Sequence, residues 1–549
     1  MRHYSAFVSI LDIFRIMNHF LILLYIIISF VGNIINNTNR LGGFNMDAHL
    51  KIAKELDCDV LVVGAGNAGM QAAAAAAESG SKTILIEKEE NENMLRLSVA
   101  AVGSKSQKRA GNYIDKHDLV NYMTAFAQGR VDQKLIYTWA NHSAETVDWT
   151  EEEVLKPNGL SWRSEPDAFN RNLRYQAWPT QNDPELDNNK GKLSPYTPFF
   201  IEKLKDLGVD IHFKLAMKSI NKENGKVTGI IAYDLENEIY LKINAKKGTI
   251  LCTGGYSANT ELLEEWNPLS LKKNVTNDSP RANGDGIVEA IKVGGWKDEE
   301  PAQLVFDRGM YKPGEDATEV YKESEEFGDW LWLGSQPFLK VNKNGERFAN
   351  ESSPYEYILN AAAYEPDYAY AMIFDANYGD DALENHMVGC ARIGFPGYML
   401  SKEALIENTE KYIDKGFVQV ADSLEELAEK LQMPKDKLIQ TVERYNECCE
   451  KGVDEDFGKE KMRLHPVKQG PYYGVYLAGR NLCTLDGLRI NTNMQVIDKN
   501  YDPIPGLYAA GNDSGGFFCG SYSERLPGLA ASRAQTFGRL AGKHAAQQD

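Results

Sequence analysis

The 549-residue sequence holds only seven cysteines, scattered singly except for Cys448-Cys449, and no CxxC pair. That spacing gives no basis for a zinc site or for an iron–sulfur cluster held by this chain, and the odd count argues against a disulfide framework. Free thiols fit a reducing cytoplasm, the expected location. Positive charge is in deficit as well: 60 lysines and arginines stand against 78 acidic residues, a net charge of −18. Nucleic acid and anionic membrane are therefore not expected as general partners. There is no internal repeat, and the alanine run at 72–77 is the one low-complexity tract. Long hydrophobic runs are missing apart from "FLILLYIIISFVGNII" at 20–35. That run is short of the about 20 residues that span a bilayer, and no small-residue cleavage site follows it. Residues 1–45 are read as a mis-assigned leader ahead of Met46, or else as a membrane segment. A membrane is a partner only in the second case.

What is present begins at "DVLVVGAGNAGMQAAAAAAESGSKTILIEKEE", residues 59–90. The apolar run 60–63 lacks alternation, as a strand buried on both faces should. Gly64-x-Gly66-x-x-Gly69 follows, then an alanine-rich helix and a second apolar strand ending at Glu87. Each glycine has a separate physical task. Gly64 makes the tight turn, Gly66 lets backbone approach a pyrophosphate, and Gly69 lets the helix pack on the strand. The helix N-terminus offers N–H groups and a positive dipole to phosphates. Glu87, 23 residues after Gly64, is placed to accept hydrogen bonds from a ribose diol. A lone glycine fingerprint is weak; strand, helix, strand and terminal Glu in one unit point to a bound dinucleotide.

Two more strands run into glycine turns: "KKGTILCTGGYSAN" (246–259) and "PIPGLYAAGNDSGG" (503–516). They lie far apart in the chain, which implies one sheet assembled from distant segments with an insertion between. Together with "RANGDGIVEAIKVGG" (281–295), "NGERFANES" (344–352) and "LAEKLQMPKDKLIQTVERYNE" (427–447), these segments resemble the fumarate reductase/succinate dehydrogenase flavoprotein family. The resemblance covers nearly the whole chain from residue 57. It implies an α/β fold with a Rossmann-like FAD-binding domain built from N- and C-terminal segments, 46–270 and 466–549, and an inserted α+β capping domain at 271–465. It implies FAD as the cofactor, with contacts expected at Gly64, Gly66, Asn67, Ala68, Gly69, Glu87, Lys88, Ala216, Gly254, Gly511, Asn512, Gly528 and Leu529. The segment "ENENMLRLSVAAVGS" lacks the Gly-Gly that many relatives place beneath the flavin.

A flavin carries the hydride chemistry, so the protein must hold an electron-poor double bond, stabilise the resulting oxyanion and supply a proton. Fumarate-reducing members of the family clamp a dicarboxylate with arginines and histidines. Here Tyr355 stands where one of those arginines is expected, and no histidine appears in "NLCTLDGLRI" or "AQLVFD". Arg525 in "SERLPG" does match a clamp arginine. Asn350-Glu351-Ser352-Ser353-Pro354-Tyr355 is similar instead to the turn of the 3-ketosteroid dehydrogenase branch, whose Tyr moves the proton beside the flavin. That branch uses a backbone N–H at the position of Gly528 to hold the ketone. It also has a Tyr where Glu524 and Arg525 stand, so this chain departs from 1,2-dehydrogenation.

The expectation is therefore an FAD-dependent oxidoreductase acting on CH–CH groups. It would reduce the conjugated C=C bond of an apolar small molecule, a 3-oxo-Δ4 steroid or bile-acid intermediate, as the resemblance to bile-acid 5α-reductases of anaerobic gut clostridia implies. Tyr355 is expected to protonate, and Arg525 with the Gly528 N–H to hold the carbonyl oxygen. A fumarate- or urocanate-type acrylate reductase is the nearest alternative, and a membrane-anchored electron-transfer subunit is the alternative of another class. No metal is expected, and the electron donor is unknown from sequence. Trp330 and Trp332 read as alternating strand residues, in the core or on the floor of an apolar pocket.

Overall fold

The apolar run at 60–63 closes the strand Ile52–Val63, and its four side chains are fully buried. It pairs in parallel with Thr83–Ile86, Val60 opposite Thr83 and Val63 opposite Ile86. The strand Thr83–Ile86 pairs in parallel in turn with Asp210–His212. The computed structural model describes residues 51–93, 95–164, 178–322, 329–385, 401–520 and 522–548. The leader or membrane segment expected at 1–45 lies outside the described residues. No helix among the described residues is long and apolar enough to cross a membrane.

The first sheet has eight strands. Along its main path Gln495–Ile497 lies beside Pro503–Ala509, then come Ile239–Leu251, Ile52–Val63, Thr83–Ile86 and Asp210–His212. Ile239–Leu251 and Pro503–Ala509 are parallel, with Leu251 opposite Ala509. Both glycine-ended strands of the sequence thus sit in one sheet with the fingerprint strand. The alternating segment "DGLRINTNMQVIDKNYDPIPG" forms an antiparallel hairpin, with Gln495 opposite Tyr508.

The alanine run forms the helix Asn67–Glu78, buried from Ala68 to Ala76. It packs on the C-terminal helix Leu529–Ala546 at very short range. A Cβ on Gly538 would lie 2.1 Å from the Ala68 carbonyl oxygen, and one on Gly542 2.2 Å from that of Ala72. Small residues on both helices are what let the backbones meet.

A second sheet of six strands is centred on Tyr472–Thr484. It pairs with Gln303–Tyr311, Tyr370–Phe374 and Val418–Ala421 antiparallel and with Asn274–Asn277 in parallel. The strand Tyr472–Thr484 falls in the C-terminal stretch 466–549, yet its pairing places it with the inserted segment. The helices Leu424–Lys430 and Lys435–Lys451 break at Pro434, and the Ser423 hydroxyl caps the first by accepting from the Glu426 amide at 3.2 Å. A third, four-stranded sheet joins Val99–Ala100, Gln181–Leu186, Leu160–Ser164 and Asn189–Leu193.

Candidate functional site

The turn after Val63 has the geometry its glycines demand. Gly64 has φ +106°, and a Cβ there would lie 2.3 Å from the Cys252 carbonyl oxygen. A Cβ on Gly69 would fall 1.8 Å from the Gly64 carbonyl oxygen. At Gly66 an added Cβ meets nothing within 4 Å. The helix that starts at Asn67 has no side-chain cap, so its first N–H groups and positive dipole end are free to meet an anion. Glu87 at the end of the neighbouring strand accepts from the Ala65 amide at 2.8 Å and from the Glu89 amide at 3.1 Å. Lys88 is turned to Asp285 at 2.8 Å and to the Arg281 carbonyl at 2.7 Å.

The turn from the other end of the chain is stapled to this one by a buried carboxylate. Asp513 accepts from the Thr253 amide and hydroxyl, the latter at 2.8 Å, and from the Gly255 amide at 3.0 Å. Burial pushes its pKa up against those hydrogen bonds. Gly254 and Gly511 both take positive φ, +97° and +64°.

These turns open on one cavity of about 690 Å³. Gly64, Gly66, Asn67, Ala68, Glu87 and Lys88 line it from the fingerprint unit, and Gly254, Gly511, Asn512 and Gly528 from the other turns. Leu95, Arg96, Leu97 and Ser98 supply a further wall where the sequence lacks a Gly-Gly. The remaining wall is apolar and aromatic: Leu304, Phe306, Trp330, Trp332 and Leu482, with Arg308, Cys483, Tyr522 and Glu524 among them. Bare helix N-terminus, approachable glycine and a carboxylate for a ribose diol are the donor set that a flavin dinucleotide needs, so these residues fit FAD.

Several expected residues stand elsewhere. Ala216 does not line the cavity, because strand alternation turns Leu215 and Met217 to it instead. Leu529 is fully buried behind the wall, and Ala530 and Ala531 of the same helix face the cavity. Gly69 is a packing residue. Tyr355 opens the helix Tyr355–Ala362 and is 1% exposed. Its ring meets Phe306 edge-on at 5.6 Å and packs with Leu482, one ring behind the cavity surface. Arg525 is likewise fully buried off the wall. Its Nη2 donates to the Ser352 carbonyl at 3.1 Å, and its Nε lies 2.9 Å from Glu524 Oε1. The two tryptophans do line the cavity, but from a bridge and a 3₁₀ turn rather than a strand, their rings 4.4 Å apart.

Two wall residues were given no role from the sequence. Glu524 is 4% exposed, and burial, opposed by Arg525, pushes its carboxyl up to about 7. Arg308 is completely buried. The adjacent charges Asp307 and Arg308 inside the buried strand Gln303–Tyr311 were the available signal, since charge is costly to bury without purpose. The Cys483 thiol, also on the wall, is pushed up to about 11 by burial. Among the described residues one group, Cys448, Asp454 and Asp456, brings ligand atoms within 4.8 Å of one another. Both of its carboxylates are already engaged, Asp454 by Arg347 and Asp456 by Arg444.

The profile of the FAD binding domain family matches residues 59–526. The chain belongs to this family, among the flavoproteins of the fumarate reductase/succinate dehydrogenase type. It is an FAD-dependent oxidoreductase acting on CH–CH groups. It is 26% identical over 503 residues to the vinyl phenol reductase of Lactiplantibacillus plantarum, covering 91% of this chain and 98% of that protein. It is 27% identical over 499 residues to the urocanate reductase of Eggerthella lenta, covering 89% and 75%. Its fold is similar to that of the 3-ketosteroid-Δ4-(5α)-dehydrogenase of Rhodococcus jostii RHA1 in complex with 4-androstene-3,17-dione, with a TM-score of 0.67 at 22% identity, covering 92% of this chain and 99% of that one.

Proposed function

We propose that this flavoprotein reduces a C=C bond conjugated to a carbonyl group or to a hydroxyl-bearing aromatic ring in a flat, largely apolar small molecule. The observation that carries the reading is the continuity of one cavity from the fingerprint glycines to Phe306, Trp330 and Trp332. Bound FAD supplies the hydride. Gly66, Asn67 and Ala68 hold the pyrophosphate at the helix N-terminus, and Glu87 holds the ribose. Gly254, Gly511 and Asn512 shape the opposite side. The apolar wall excludes water and presents the flat face of the substrate, and the Gly528 N–H is offered to its oxygen.

Proton delivery to the second carbon is assigned to Glu524. It lines the wall and carries a proton over much of the range up to about pH 7. Tyr355, the donor expected from the sequence, backs the wall and orients Phe306, and Arg525 holds Glu524 in place. A 3-oxo-Δ4 steroid or bile-acid intermediate is one substrate of this description. An aryl alkene or acrylate is the other, and the full-length likeness to a vinyl phenol reductase supports it.

The test is anaerobic reoxidation of dithionite-reduced holoenzyme by 4-androstene-3,17-dione, 4-vinylphenol, urocanate and fumarate, with the product identified by its gain of two hydrogens. Reoxidation by one of the first three supports the reading. Reoxidation by fumarate alone overturns it.

A further inference from the structure

Arg308 is completely buried, lines the cavity and has no acceptor for Nη1 or Nη2. Only its Nε is used, donating to the Ser335 hydroxyl at 2.8 Å. That hydroxyl in turn donates to Asp307 Oδ1 at 2.6 Å. The base of the guanidinium is thereby fixed, and its two terminal nitrogens are left over. Rings surround it: Phe306 at 4.6 Å, Trp332 at 4.7 Å, Trp330 at 5.5 Å and Tyr355 at 5.7 Å. Aromatic faces attract a cation but give its in-plane N–H groups no lone pair. The neighbouring Arg480 shows the contrast. It lies over the Trp330 ring at 4.4 Å, and Asp278 neutralises it at 2.8 Å. A buried guanidinium held by one nitrogen at the cavity wall keeps two terminal N–H groups that no described residue accepts, and aromatic rings cover them from the open space, so an anionic ligand reaches them where those rings turn aside.

We infer that Arg308 is the specificity residue of this site, holding a carboxylate or phenolate oxygen carried on the flat apolar body of the substrate. The planar fork reads an anionic oxygen, and the flanking indoles and Phe306 read the adjoining ring. The substrate class is therefore an anionic aryl- or polycyclic alkene, not a neutral one. The identity of the reaction rests on the reductase reading above; binding of the anion at Arg308 does not.

The experiment uses oxidised holoenzyme and two probe pairs: 3-phenylpropanoate with its methyl ester, and 4-ethylphenol with 4-ethylanisole. Calorimetry gives the dissociation constants for wild type, Arg308→Gln and Arg308→Lys. Wild type is expected to bind one anionic or ionisable probe over its capped partner by roughly 10- to 100-fold, the usual weight of a hydrogen-bonded charge. Arg308→Gln should erase that preference while FAD content stays at the wild-type level, and Arg308→Lys should restore part of it. The pair that shows the preference tells carboxylate from phenolate. Equal preference in wild type and Arg308→Gln, or none in wild type, overturns the inference. Arg308-dependent binding of 3-phenylpropanoate by an enzyme that reduces no alkene would leave the inference standing and overturn the reductase reading. Thermal melting separates a structural role: Arg308→Met should melt no lower than wild type, and a large drop would mean that Arg308 serves the fold instead.

Discussion

Asp513 and Thr253 are separated by 260 positions in the chain, yet the carboxylate of one accepts both the amide and the hydroxyl of the other. This contact, with the Gly255 amide as third donor, fixes two glycine turns to each other across the cavity mouth. Asp513→Ala leaves three donors without an acceptor at a fully buried position. The expected loss is about 3 kcal/mol of stability or more, with FAD released on gel filtration. Asp513→Asn keeps the shape and part of the hydrogen bonding, so it should lie between. Full flavin retention in Asp513→Ala would show that the turns hold without the staple.

Gly66 and Gly69 should fail in opposite ways. A Cβ on Gly66 meets no protein atom within 4 Å, so Gly66→Val should fold, melt near the wild-type apoprotein and purify colourless. A Cβ on Gly69 would overlap the Gly64 carbonyl at 1.8 Å, so even Gly69→Ala should lose soluble protein. Flavin absorbance and circular dichroism of the two variants separate blocked binding from failed folding.

Glu524 gives the reaction a pH dependence of known sign. Its carboxyl titrates at about 7 in the fold against an ordinary value of 4.5. The raised value means that the fold disfavours the charged form, so stability declines as pH rises from the ordinary value through about 7. Glu524→Gln should recover stability at pH 8 and none at pH 4. As proton donor, Glu524 should make turnover fall above pH 7. Glu524→Gln should slow it by about 10²–10⁴-fold and flatten the profile. Tyr355→Phe should keep near-normal turnover with a small loss of melting temperature. The reverse pattern would return proton transfer to Tyr355.

The turn "GERFANES" is held by Arg347, whose fork reaches Glu351 at 2.8 Å and Asp454 at 2.7 Å. Burial acts to raise the Asp454 pKa, but the hydrogen bonds from Arg347 and the Lys459 amide win and hold it well below its ordinary 3.8. This contribution is complete above pH 3.8 and is lost as pH falls through the depressed value. Asp454→Asn should therefore melt below wild type at pH 7, and the gap should narrow toward pH 2. A gap independent of pH would assign the loss to shape alone.

What the sequence made legible follows from range. Gly64, Gly66, Gly69 and Glu87 act within one strand–helix–strand unit, so their spacing alone carried their geometry. Gly254, Gly511 and Gly528 were found because each ends or starts an element. Ala216 depended on the phase of a strand, and a one-residue offset sends Leu215 and Met217 to the cavity in its place. The position of Tyr355 depended on which way a ring turns after Pro354, and contacts with Phe306 and Leu482, remote in sequence, decide that. Arg308 was hidden for a related reason. Only the tertiary fold encloses it with four aromatic residues and leaves its fork without a partner.

The parallel pairing of Ile239–Leu251 with Pro503–Ala509 also sets a timetable. On a ribosome adding about 5–20 residues per second, the stretch from Val63 to Pro503 takes roughly half a minute to a minute and a half to make. Throughout that interval the fingerprint turn exists without the Asp513 staple, and the helix Asn67–Glu78 lacks its partner Leu529–Ala546. Its alanine face stays exposed for as long. Flavin capture is accordingly an event of the finished chain, and a nascent chain stalled before Pro503 would be a client for chaperones rather than a partial enzyme.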